Sequence, residues 1–207
     1  MLYLKQTPYN SYCVSADSTR ELATAFLRFQ EHYESPNDQF RGQVFTLGQY
    51  KLWYEKQYGW FSYYTDWSGF NIHSYVLEPF KEGLFDPLLP EEQNLVSLFI
   101  NAPKDKFYII GANTKDVLDH ELNHALYTYN NDYSNEVNKV FDANLENIKY
   151  ALEHLLDKGY CKYLLYDELQ AYILDDDEYI TSLITDKKIL ENILFLYLQY
   201  SEKHYEA

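Results

Sequence analysis

One ten-residue stretch constrains this chain more than any other: Val117-Leu118-Asp119-His120-Glu121-Leu122-Asn123-His124-Ala125-Leu126. It contains neither Gly nor Pro, and Asn113 or Thr114 ahead of it can cap a helix running to about Tyr129. On a helical wheel Leu118, Leu122, Ala125, Leu126 and Tyr129 share one arc, the expected core face. Val117, His120, Glu121, His124 and Tyr127 share another. Histidines at i and i+4 stand one above the other, so their imidazoles can hold one metal ion from the same side. Glu121 lies about 100° round the helix from His120, within reach of a water beside that ion.

The rest of the chain reads as helix and strand first, all helix later, which is an α+β layout. Ser18-Thr19-Arg20-Glu21 is a capping box, and a helix should follow to about Tyr33. A second helix is expected from Thr46 to Tyr58, closed by Gly59. The aromatic stretch from Trp60 to Leu77, broken at Ser68-Gly69, suggests a hairpin. Pro90 opens a short helix through about Ile100, and Lys106–Ile110 is a compact strand ended by Gly111. Beyond the histidine helix, apolar residues at Phe141, Leu145, Ile148, Leu152 and Leu155 predict one helix over Asn135–Lys158, stopped by Gly159. Helices over Tyr163–Leu174 and Lys187–Lys203 complete the chain. We expect a single domain over 1–207, with a mixed substrate-side lobe over 1–112 and a helical, ligand-bearing lobe over 113–207.

Composition narrows the function. The 207 residues include 17 basic and 32 acidic side chains, a formal net charge of −15, and 46 % are hydrophobic. Such a charge repels phosphate backbones and anionic lipid, which argues against nucleic-acid and membrane-surface partners. The acidic run Asp175-Asp176-Asp177-Glu178 reads as a solvated helix end. Two cysteines, Cys13 and Cys161, with no Cys-x-x-Cys, exclude a disulfide framework and a cysteine zinc site, and each reads as a small buried residue. No signal pattern opens the sequence and no run of apolar residues is long enough to span a bilayer. A cytoplasmic location is therefore expected, with export by a signal-independent route as the alternative.

A catalytic zinc takes three protein ligands and keeps one position open. Position 130 is Asn, so no third His follows six residues after His124, and His32, His73, His154 and His204 have no supporting context. Among the downstream carboxylates Glu136, Glu146, Glu153 and Glu168, the side chains of Glu146 and Glu153 face away from their apolar stripe. Glu168 lies beside the apolar arc of Leu165, Leu169 and Tyr172, where a charged group needs a partner. A zinc ion would be one.

The segment Val117–Leu126 resembles the extended signature of the zincin metallopeptidases. Asp167-Glu168-Leu169-Gln170-Ala171-Tyr172 resembles the third-ligand helix of their gluzincin, thermolysin-like branch. The likeness covers about Lys106 to Asp175. It implies Zn²⁺ held by His120, His124 and Glu168, Glu121 as general base, and a protein or peptide substrate paired with an edge strand carrying Phe107, Tyr108, Ile109 and Ile110. Thermolysin-like members place an Asp four residues after the ligand Glu, where it bonds a zinc-bound His; here that residue is Tyr172. Asp175, and less readily Asp119, are the candidates to replace it. Tyr172, Tyr127, Tyr160 and His204 are candidates for the oxyanion donor. The expected activity is zinc-dependent peptide-bond hydrolysis. The alternatives are an inactive or latent zincin-like interaction protein and an aromatic-rich binding protein using the stretch from Trp53 to Tyr75 without a metal.

Overall fold

A computed structural model describes residues 1–102 and 106–201. The chain forms two compact units, Met1–Leu118 and Asp119–Ala207. Both the α+β class and the helical character of the later part are observed.

The first unit opens with a hairpin absent from the sequence-based expectation. Strands β1 (Leu2–Thr7) and β2 (Ser11–Ala16) pair antiparallel, Thr7 opposite Ser11. Their turn takes positive φ at Tyr9 and Asn10, without the glycine that usually signals it. Helix α1 (Thr19–Glu34) follows; Ser18 accepts from the Glu21 N–H as expected, but the Glu21 carboxylate takes the N-terminal ammonium at 2.6 Å instead of closing the box. Helix α2 (Leu47–Tyr58) has a complete capping box at Thr46 and Gln49 and ends at Gly59, φ 89°.

The hairpin expected over Trp60–Leu77 is not formed. Residues 63–66 make a single turn, α3 (Tyr63–Asp66), because Asp66 accepts from both the Tyr54 and the Ser62 hydroxyls. One strand, β3 (Gly69–His73), is left, and a short 3₁₀ turn and helix α4 (Glu78–Lys81) follow it. Helix α5 (Pro90–Leu98) starts at its proline, and β4 (Tyr108–Ala112) completes a sheet of order β1-β2-β4-β3.

Two expectations fail at β4. It is an interior strand, parallel to β2 on one side and antiparallel to β3 on the other, so Phe107 to Ile110 do not form a free edge for substrate. Nor does Gly111 end it: the residue sits inside the strand, with the Phe26 ring where a Cβ would project. Phe26 stacks on Phe70, and the core of this unit extends through Phe29, Phe80 and Phe85 to Tyr50, Tyr54 and Tyr63. Much of the aromatic stretch is thus structural packing. Cys13 and Cys161 are both buried thiols.

The unit boundary falls within helix α6 (Lys115–Tyr129), which Thr114 caps through its hydroxyl to the Val117 N–H. In the second unit the expected long helix divides into α7 (Asn131–Asp142) and α8 (Leu145–Asp157). Asn144 breaks it by folding its side chain back to the Val140 carbonyl, and Leu145 is left half exposed. Gly159, φ 99°, follows α8. A 3₁₀ turn leads into α9 (Leu165–Leu174), and the acidic run does more than end it. Asp176 takes φ 55° and Asp177 caps α10 (Glu178–Ser182). Helix α11 (Lys188–Ser201) packs on α7 and α9; residues 202–203 of its expected extent, and His204, lie outside the described residues. Val137, Phe141, Ile148, Leu155, Leu169 and Ile193 form the buried interior of these helices. Among the described residues no helix is long and apolar enough to cross a membrane.

Candidate metal centre

The histidines and the third expected ligand meet. His120, His124 and Glu168 each offer a ligand atom, and these atoms lie within 4.8 Å of one another. The two Nε2 atoms are 3.2 Å apart, and His124 Nε2 is 3.9 Å from Glu168 Oε2. Two nitrogens bound tetrahedrally to one zinc at about 2.0–2.1 Å would stand about 3.3 Å apart. The helix alone sets the first spacing; α9 brings the carboxylate.

The outer nitrogens are occupied by carboxylates. His120 Nδ1 meets Asp175 Oδ2 at 2.5 Å, and His124 Nδ1 meets Asp167 Oδ1 at 2.9 Å. A carboxylate only accepts, so each Nδ1 carries a proton, and whenever a ring is neutral its Nε2 turns a lone pair inward. Two lone pairs facing each other at 3.2 Å, beside a carboxylate, repel unless a proton or a cation lies between them. The donor set therefore fits zinc: nitrogen and oxygen ligands, correct tautomers and a carboxylate behind each ring.

The protonation energetics point the same way. Burial is the largest single influence on His120 and opposes its charge, but the bond to Asp175 and the charges of Glu121 and Asp175 together outweigh it and raise its pKa. Burial opposes charge on His124 too; Asp167 and Glu168 overcome it and hold the ring well above the ordinary histidine value. Burial pushes the Glu168 carboxyl up to about 7, against the lowering effect of His124 and His120. Without a bound cation these groups share protons; a cation removes the need.

A buried amide fixes the arrangement. Gln170, fully enclosed, donates to Asp167 Oδ1 at 3.2 Å and to the Asn123 carbonyl at 3.3 Å, and accepts from the Tyr133 hydroxyl at 2.9 Å. It ties α9 to α6 and α7. Asn123 Nδ2 reaches Asp175 Oδ1 at 3.5 Å. Asp167 and Gln170 were not singled out from sequence as site residues. Their signal was present, since both flank Glu168 within one helical turn.

Glu121 is 5 % exposed, and its charge acts on His120, His124 and Glu168. Asn123 and His124 are enclosed as well, whereas Val117, His120 and Tyr127 of the same helix are only partly buried. Glu146 and Glu153 are exposed, as their wheel positions implied. Tyr172 packs its ring edge-on to His120, centroids 5.4 Å apart, and its hydroxyl meets that of Tyr160 at 2.8 Å. Tyr127 instead donates to Asn138 Oδ1 at 2.5 Å and lines a surface cavity of about 370 Å³ with Lys162, Tyr163 and Tyr166. Asp119 is exposed. No protein-family model, curated protein or solved structure matches this chain.

Proposed function

We propose that the chain is a zinc-dependent peptide-bond hydrolase of gluzincin type. The observation that carries this reading is the inward-facing trio of His120, His124 and Glu168, with a carboxylate behind each imidazole. When bound, zinc would polarise the scissile carbonyl and acidify a water.

The remaining work falls to the chain's own side chains. His120, His124 and Glu168 would hold the ion, and Asp175 and Asp167 keep the two rings in the Nδ1–H tautomer. Glu121, next to His120 on the rigid α6, takes the proton of the attacking water and delivers it to the leaving amine. Its burial keeps solvent from competing for that proton. The inactive-zincin alternative drew on the missing carboxylate at position 172. Asp175 supplies a carboxylate to His120 from three residues further on, which removes that motive.

The test is Glu121→Gln in the zinc-loaded chain. It should keep about one zinc per chain and lose at least about 10³-fold in peptide cleavage. Undiminished cleavage of every substrate in a mixed peptide library would sink the mechanism. Failure of the unaltered chain to take up zinc would sink the metal site itself.

A further inference from the structure

The surface cavity of about 370 Å³ lies within the second unit and is lined by Tyr127, Asn138, Lys162, Tyr163, Leu165 and Tyr166. None of His120, Glu121, His124 and Glu168 lines it, so the hydrolase reading leaves it without a task. Its volume falls in the range of small-molecule sites, about 300–1,000 Å³. Three helices and a turn build it. Helix α6 supplies Tyr127, α7 supplies Asn138, and the first turn of α9 supplies Leu165 and Tyr166. The 3₁₀ turn Lys162–Leu164 sets Lys162 and Tyr163 at the rim. Two aromatic walls are fixed in advance. The Tyr127 hydroxyl donates to Asn138 Oδ1 at 2.5 Å, and the Tyr166 hydroxyl to Asp142 Oδ1 at 2.9 Å. The Tyr166 ring also packs edge-on against Phe141, centroids 5.2 Å apart. Walls held this way lose little freedom when a ligand arrives. Tyr163 is 64 % exposed, so its ring has apolar area left to bury against one.

The polar groups of the lining are matched on one side only. Tyr127 and Tyr166 have spent their O–H protons on Asn138 and Asp142. Asn138 has received a bond at Oδ1, while the two N–H groups of its Nδ2 make no hydrogen bond among the described residues. In this acidic unit Lys139 and Lys149 meet Glu136 and Glu153, but the Lys162 ammonium meets no carboxylate among the described residues. No lining residue carries a negative charge. The unused capacity is therefore one positive charge and a set of N–H donors, beside three phenol rings and the buried Leu165. The complement is an anion of single charge on a flat apolar body: the charge and donors match a carboxylate, and the rings match an aromatic group.

We propose that this cavity binds an aromatic carboxylate. Lys162 and the Asn138 amide take the carboxylate, and Tyr127, Tyr163 and Tyr166 take the ring. Such a group belongs either to a free aryl acid or to a peptide ending in an aromatic residue. Binding is reversible, and no covalent bond forms. The site uses no metal ligand, so it holds or fails separately from the hydrolase reading.

The experiment is an NMR titration of the ¹⁵N-labelled full chain with two probes, 3-phenylpropionate and N-acetylglycylphenylalanine. The controls are 3-phenylpropanamide, which lacks the charge, and phenethylamine, which reverses it. Saturable shifts should centre on residues 162–166, Tyr127 and Asn138, with a Kd on the order of 1 mM for a ligand of this size. Both controls should bind at least about tenfold more weakly. Lys162→Gln, at an exposed position, should weaken the acids by about tenfold. Asn138→Asp keeps an acceptor for Tyr127 but sets a like charge beside the ligand, and should weaken them at least as much. Melting temperatures of both variants should match that of the unaltered chain. Tighter binding of the dipeptide identifies a peptide terminus as the natural source, and tighter binding of phenylpropionate a free acid. The proposal is overturned if neither acid gives saturable shifts, if the amide or the amine binds as well as the acids, or if Lys162→Gln leaves their affinity unchanged.

Discussion

Asp175 lies 55 residues from His120 in sequence, yet makes the shortest contact of the metal centre, 2.5 Å. Its worth to the proposed centre is orientation: it holds the proton on Nδ1 and so leaves Nε2 to face an ion. Removing a group of this kind typically costs 10–100-fold in metal affinity. Asp175→Ala should therefore weaken zinc binding by about that factor, measured by competition with a chelator of known affinity. Equal affinities for the two chains would mean that the carboxylate is not an orienting group. The two candidate histidine ligands were legible because i and i+4 on one helix need no other element. Asp175 was named from sequence only as one of two replacements for a missing Asp, and Asp167 was not assigned a role. A carboxylate becomes an orienting group only when another helix brings it to the outer nitrogen, and spacing along the chain does not report that.

The helices with capping signals at their starts, α1, α2 and α5, begin where the sequence places them, because a cap is a local contact between residues three apart. Strands depend on partners, and there the reading faltered. The β1–β2 hairpin turns on Tyr9 and Asn10, neither a glycine, and β1 buries only Leu2 fully, so it shows no alternating pattern. The split between α7 and α8 has no Gly or Pro, and the helical period runs on through it. Gly111 was taken for a strand end, whereas its role is close approach: a Cβ there would lie 2.9–3.1 Å from three atoms of the Phe26 ring. Gly111→Ala should destabilise the chain by about 1–3 kcal/mol through overpacking, read as a lowered denaturation midpoint at unchanged slope. Substitution without loss of stability would show that the ring yields.

At the scale of the molecule, the charge of −15 is distributed unevenly in kind. Most acidic groups are solvated, but Glu31, in the first unit, is buried among tyrosines. Ser35, Tyr50 and Tyr63 hydrogen-bond it, and its Oε2 has no partner among the described residues. Burial pushes this carboxyl from 4.5 up to about 7, against the lowering effect of those hydrogen bonds. A raised folded-state pKa means that the native chain holds the proton more tightly than the unfolded chain. The contribution is complete below pH 4.5 and is lost as pH rises through about 7. The lost stability is on the order of 3 kcal/mol. Glu31→Gln should remove that slope, seen as the difference between the two chains in denaturant stability from pH 4 to 8. Identical profiles would show that Glu31 ionises freely. By itself, the sequence determined the α+β class, the capped helices and the residues that offer metal ligands, because each follows from contacts within a few turns of one chain segment. Only the tertiary structure decided that β4 is interior, that Asp175 and Asp167 orient the histidines, and that Tyr172 meets Tyr160. Those outcomes depend on which strands and helices become neighbours, and that is set by the burial of whole faces and not by the spacing of residues within one element.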